Sequence, residues 1–125
     1  MIKIDNLSQA YGLTNVSCQI PQGKLVGIMG ANGAGKSTFL KSIAGILPIS
    51  SGDIWLSEYK LSAMTATQKS QQLAYLAQST EIHWDLSVYE VIALGLLQML
   101  ANAKEQEKVR SISETFSVTH LLDKP

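Results

Sequence analysis

The chain has 125 residues, 46% of them apolar, which is enough for one compact core. Ten Lys plus Arg balance ten Asp plus Glu with no run of either sign, which argues against a nucleic-acid-binding surface or an anionic-lipid patch. The single cysteine, Cys18, excludes an internal disulfide and a cysteine-cluster metal site; with no apolar leader in "MIKIDNLSQAYG", the chain reads as cytoplasmic.

The first elements are strands. "IKIDNL" (2–7) alternates apolar and polar, and "LTNVSCQI" (13–20) reads as a second strand ended by Pro21 and Gly23; together they predict an antiparallel pair. Cys18 is expected to pack within the second strand. "KLVGIM" (24–29) is almost continuously apolar, the pattern of a strand buried on both faces of a parallel sheet. A glycine-rich loop follows, then a helix with Phe39, Leu40, Ile43 and Leu47 at helical spacing, closed by Pro48. "GDIWL" (52–56) predicts a strand, residues 63–73 a helix capped by Thr65 or Thr67, and "LAYLA" (73–77) another buried strand.

The rest reads as helical. Ser87 and Glu90 form a capping box that opens a helix to about residue 100, and Asn102 with Glu105 repeats the device. The last helix is expected to carry Val109, Ile112 and Phe116 on one face and charges on the other. The apolar run "VIALGLLQML" is about half the ~20 residues of a membrane span. The pieces predict one α/β unit, with a core over 1–80 and the start of a helical portion over 81–125.

"GIMGANGAGKSTFL" (27–40) holds the chemistry. Gly30, Gly35, Lys36 and Ser37 satisfy G-x-x-x-x-G-K-[ST] between an apolar strand pattern and a helix, the context of a phosphate-binding loop. A polyphosphate is charged on every group, so backbone N–H donors must converge on it. Gly33, Ala34 and Gly35 let the chain curl tightly enough, and the helix start adds free amides and the positive end of its dipole. Lys36 is the point charge for the β- and γ-phosphates, Ser37 is placed to hold Mg²⁺, and Thr38 faces the α-phosphate. A dinucleotide loop is excluded, because the glycines do not fit G-x-G-x-x-G.

Around that loop the chain resembles the N-terminal part of the ATP-binding subunit of ABC transporters. "NLSQAYG" looks like that family's adenine-stacking loop, which makes Tyr11 the stacking aromatic; "GANGAGKSTFL" is close to its phosphate loop, including Ala31 and Asn32. "LAYLAQ" looks like the strand into the Q-loop, which makes Gln78 the residue that senses the γ-phosphate through Mg²⁺ and the attacking water. The resemblance implies a P-loop NTPase core of an antiparallel strand pair and parallel strands around the loop helix, ATP and Mg²⁺ as ligands, and attachment to the inner membrane face through transmembrane permease subunits. It also implies a second ATP-binding subunit as partner. The hairpin at Tyr11 is shorter than in many members, which leaves Val16 in doubt as an adenine contact.

The signature motif, acidic strand, catalytic glutamate and switch histidine of the complete domain are not found in these residues. His83 and His120 read as surface or helix-end residues, and Asp123 follows no full apolar strand. The 125 residues are therefore expected to bind ATP and hardly hydrolyse it. "LSAMTATQKSQQLAYLAQ" and "HWDLSVYEVIALG" are similar to subunits of iron-siderophore, haem and cobalamin importers; manganese and zinc importers, which share the "WD", are the alternative, as is a non-catalytic nucleotide-binding module. A small P-loop kinase needs lid arginines, whereas Arg110 is the only arginine and lies in the helical tail.

Overall fold

The computed structural model describes residues 1–78, 85–96 and 104–124. β1 (Ile2–Gln9) and β2 (Leu13–Ile20) form the antiparallel pair that the alternation predicts, joined by a tight turn at 10–12. β1 also pairs antiparallel with β3 (Ser51–Leu56), and β3 with the short β4 (Tyr59–Lys60), giving the sheet order β2-β1-β3-β4.

The alternation in β1 slips by one residue at Asn6. Asn6 lies in the left-handed region at φ 48°, its amide donates to the Ser17 hydroxyl at 2.8 Å, and the ladder to both neighbours shifts register around it. Such a bulge inserts one residue and turns the next side chains over. The inward set is thus Ile2 and Ile4 before the bulge, Leu7 and Gln9 after it, which buries a glutamine at the strand's end.

α1 (Lys36–Ile43) contributes Phe39 and Ile43 to a core with Ile4, Leu7, Leu13, Ile54, Leu56, Leu61 and Met64. Each such side chain stabilises by about 1.5–3 kcal/mol. The helix stops earlier than the apolar spacing suggests, before Leu47. Gly45, at φ 71°, donates to the Ser42 carbonyl at 3.0 Å while Ile46 donates to the Lys41 carbonyl at 2.9 Å, a Schellman ending that reverses the chain. α2 (Ala66–Gln72) is capped by Thr65: the Gln68 amide donates to the Thr65 hydroxyl and the Thr65 amide to the Gln68 side chain.

Three expectations fail here. Residues 24–29 and 73–77 form no strand, and Leu25, Val26, Met29, Tyr75 and Leu76 are exposed. A strand in a parallel sheet needs hydrogen-bonding neighbours for its N–H and C=O groups, and among the described residues no strand lies beside either segment. Cys18 is also exposed: it sits on β2, at the edge of the sheet, where none of the described residues covers its side chain.

The chain divides into two compact units, Met1–Tyr75 and Leu76–Pro125. In the second, α3 (Val88–Leu96) and α4 (Glu105–Thr115) bury Leu96 and Val109. The Ser87–Glu90 capping box forms: the Ser87 amide donates to the Glu90 carboxylate at 2.7 Å and the Glu90 amide to the Ser87 hydroxyl at 3.3 Å. The next amides of α3, those of Val88 and Tyr89, donate to the carbonyls of Lys124 and Leu122, each at 2.9 Å. Phe116 is exposed rather than on the buried face of α4, because the helix has ended at Thr115 and Ser113 takes the inward position. His120 is exposed in a 3-10 turn and Asp123 is exposed beyond it, while His83 and Asn102 lie outside the described residues. No helix among the described residues is long and apolar enough to cross a membrane.

Candidate functional site

The candidate site lies within the first unit, where Gly30 to Thr38 run from an extended segment through a tight turn into the first residues of α1. Ala34 donates its amide to the Ala31 carbonyl at 3.2 Å, closing the turn at Asn32 and Gly33. Lys36 folds back over this turn. Its ammonium donates to the Gly30 carbonyl at 2.8 Å and to the Ala31 carbonyl at 2.7 Å, tying the start of the curl to the base of the helix. An ammonium has three N–H donors, so one direction remains beyond these two bonds.

Gly35 makes this geometry attainable. As N-cap of α1 it sits at φ 84°, ψ 10°, and a Cβ there would lie 2.9 Å from the Gly12 carbonyl oxygen and 3.0 Å from Leu13 Cδ2. The loop therefore needs a left-handed residue and closest approach to the β1–β2 turn at one position, which glycine meets without strain. The first helical bond of α1 runs from the Phe39 amide to the Gly35 carbonyl at 2.8 Å. The amides of Lys36, Ser37 and Thr38 precede it and have no acceptor within the helix. Among the described residues no side chain caps them, and no acidic residue stands in the first turn. The arrangement presents uncapped N–H donors at a helix start, a dipole end and an ammonium, the donor set that suits a polyanion.

Two hydrogen bonds hold Tyr11 in the β1–β2 turn, and the second joins the turn to α1. The Tyr11 amide donates to the Gln9 side-chain oxygen at 2.6 Å, and the Thr38 hydroxyl donates to the Tyr11 carbonyl at 3.4 Å. Tyr11 is 76% exposed. Beside it, Leu13, Val16, Ile28, Met29 and Phe39 with Ala34, Gly35 and Lys36 line a shallow hollow of about 210 Å³. Val16 thus lies at the loop even with the short hairpin.

Gln78 belongs to the second unit, where it is exposed; its assignment rests on sequence alone. Gln9 was not singled out by sequence reasoning. The signal was present in the break of alternation at Asn6, which turns the polar residue at position 9 inward. Among the described residues no group of His, Cys, Asp or Glu side chains is arranged to hold a metal ion.

A glycine-curled loop closed by a lysine at the start of a helix defines the chain's class, and its sequence over residues 13–125 matches the ABC transporter family, to which it belongs. It is 40% identical over 122 residues to the hemin import ATP-binding protein HmuV of Bordetella parapertussis, covering 93% of the chain and 47% of that protein. It is 35% identical over 115 residues to the manganese transport system ATP-binding protein MntB of Bacillus subtilis, covering 86% of the chain and 43% of that protein. In fold it resembles a solved ATP-binding subunit of an ABC transporter with a TM-score of 0.82 at 26% identity, over 98% of the chain and 53% of that one. The chain spans about half the length of the curated relatives it matches. The α/β class stands; of its expected strands, those at 24–29 and 73–77 are the ones not formed.

Proposed function

We propose that residues 30–38 hold the phosphates of ATP, and that the chain is the nucleotide-holding part of the ATP-binding subunit of an ABC importer for an iron-siderophore, haem or cobalamin. The observation that carries the reading is the Lys36 ammonium, held at the loop by the Gly30 and Ala31 carbonyls with one of its three donors left over. In this reading the amides of Gly33 and Gly35 and of the first turn of α1 surround the β- and γ-phosphates, joined by that of Ala34 once it leaves the Ala31 carbonyl. Thr38 faces the α-phosphate, Asn32 lines the loop, and Tyr11 stacks on adenine at the exposed edge.

Mg²⁺ would be held by the Ser37 hydroxyl and phosphate oxygens, with Gln78 as a further ligand. An exposed hydroxyl at the helix start fits that role, since Mg²⁺ keeps several waters and binds through few protein groups. The ion supplies neutralisation of phosphate charge. Partners in this reading are the transmembrane permease subunits and a second ATP-binding subunit, which place the protein at the inner face of the membrane. The 125 residues supply the cradle and no general base, so they bind ATP and hardly turn it over.

Titration with a fluorescent ATP analogue tests the cradle: saturable binding that weakens at least about tenfold in Lys36→Ala is expected. Clear Mg²⁺-dependent hydrolysis by these residues, lost in Lys36→Ala, overturns the view that they lack turnover. A manganese or zinc importer is the second reading, favoured by the identity to MntB. Uptake of labelled haem against labelled manganese in cells with and without the protein decides between them.

A further inference from the structure

We infer that Gln9 is a positioning residue for nucleotide recognition, which fixes Tyr11 so that its ring can receive the base; this rests on the reading of residues 30–38 as the ATP phosphate site. Tyr11 is 76% exposed, so side-chain packing does little to hold it in place. Its backbone is what is fixed. The Tyr11 amide donates to the Gln9 side chain at 2.6 Å, much the shorter of its two anchors, since the Thr38 bond to the Tyr11 carbonyl is 3.4 Å long.

Gln9 can serve as anchor because it is held in turn. The bulge at Asn6 brings it to the core face of β1, where it is 6% exposed, opposite buried Leu13 in the ladder. Only its side-chain oxygen can accept from an N–H. A buried, register-fixed acceptor thus fixes the backbone that carries an exposed aromatic two residues later. A flexible turn would lose backbone entropy each time a base bound, whereas a pinned one has already lost it. Gln9 then adds to the affinity for the base and leaves the phosphate contacts of Lys36 unchanged.

The ratio of ATP affinity to inorganic tripolyphosphate affinity isolates the base contribution, and calorimetric titration of the intact chain with Mg²⁺ and each ligand measures it. In wild type, ATP is expected to bind at least about fivefold more tightly than tripolyphosphate, and Tyr11→Ala to bring the two together. Gln9→Met, close in shape but with no acceptor, is expected to lose most of that ratio while tripolyphosphate affinity stays within about twofold. Gln9→Glu, which keeps an acceptor oxygen, is expected to regain the ratio although both ligands weaken together from its charge. A Gln9→Met ratio equal to wild type, or an equal loss for both ligands, overturns the role of Gln9. Should Gln9→Met not fold, hydrogen exchange in the wild type decides: a Tyr11 amide protected relative to its neighbours Ala10 and Gly12 supports the anchor, and an unprotected one overturns it. Failure of the wild type to bind tripolyphosphate at all sinks the phosphate-site reading instead, a result distinct from any of these.

Discussion

The Thr38 hydroxyl, in the first turn of α1, donates to the backbone carbonyl of Tyr11 in the β1–β2 turn at 3.4 Å, joining two segments 27 residues apart in sequence. A hydroxyl has one proton to donate. A nucleotide whose α-phosphate reaches Thr38 therefore takes a donor that otherwise holds the turn, and the Gln9 bond to the Tyr11 amide is left to hold it. Thr38→Val keeps the β-branched shape and removes the donor. ATP affinity by calorimetry is expected to fall about fivefold, near 1 kcal/mol, while Thr38→Ser stays within about twofold. Equal affinity of Thr38→Val and wild type would place the α-phosphate elsewhere.

Gly35→Ala tests the close approach of loop and turn. The new methyl would stand 2.9 Å from the Gly12 oxygen with φ at 84°, so both the backbone and the neighbour must give. A left-handed alanine alone costs about 1–2 kcal/mol, and the contact adds to it. Urea unfolding should show a loss of at least about 2 kcal/mol, with weakened binding of both ATP and tripolyphosphate. A midpoint unchanged from wild type would show that loop and turn are not in contact in solution.

Local signals were the legible ones. A Thr65 cap, the Ser87–Glu90 capping box, the β1–β2 pair and the glycine–lysine loop each depend on residues close in sequence, and each forms at its expected place. Residues 24–29 read as a buried strand because their apolarity was legible. Burial and pairing depend on neighbours, which no stretch of six residues specifies, and among the described residues those neighbours are lacking. Cys18 misled for the same reason, as a residue of a burial-prone type on an edge strand. Gln9 was hidden by one bulge, since a register slip of a single residue exchanges the faces of everything after it. The loop lysine was legible by type, but its bonds to two particular carbonyls were visible only in three dimensions.

Ser42 is 1% exposed near the C-terminal end of α1, and its hydroxyl has no hydrogen-bond partner among the described residues. A buried hydroxyl without a partner costs free energy that an alanine would not. Alanine is also the better helix former. Ser42→Ala is therefore expected to raise the unfolding free energy by about 1 kcal/mol, seen as a higher urea midpoint, without changing tripolyphosphate affinity. A lower midpoint would reveal a partner that the hydroxyl had kept.

Acid should loosen the start of α3 through Glu90. Its carboxylate accepts the Ser87 amide at 2.7 Å and the Ser87 hydroxyl at 2.8 Å. The backbone bond first, and the hydroxyl bond second, hold its pKa below the ordinary glutamate value of 4.5. Since the folded form has the lower pKa, the stabilisation is complete above that ordinary value and disappears as pH falls through the lowered one. Hydrogen exchange at the Ser87 and Glu90 amides, followed downward from pH 5, should show protection lost first there. In Glu90→Gln the same amides should be less protected at neutral pH and show no further loss on acidification. Protection that falls equally in both proteins would mean that acid acts on α3 through another group.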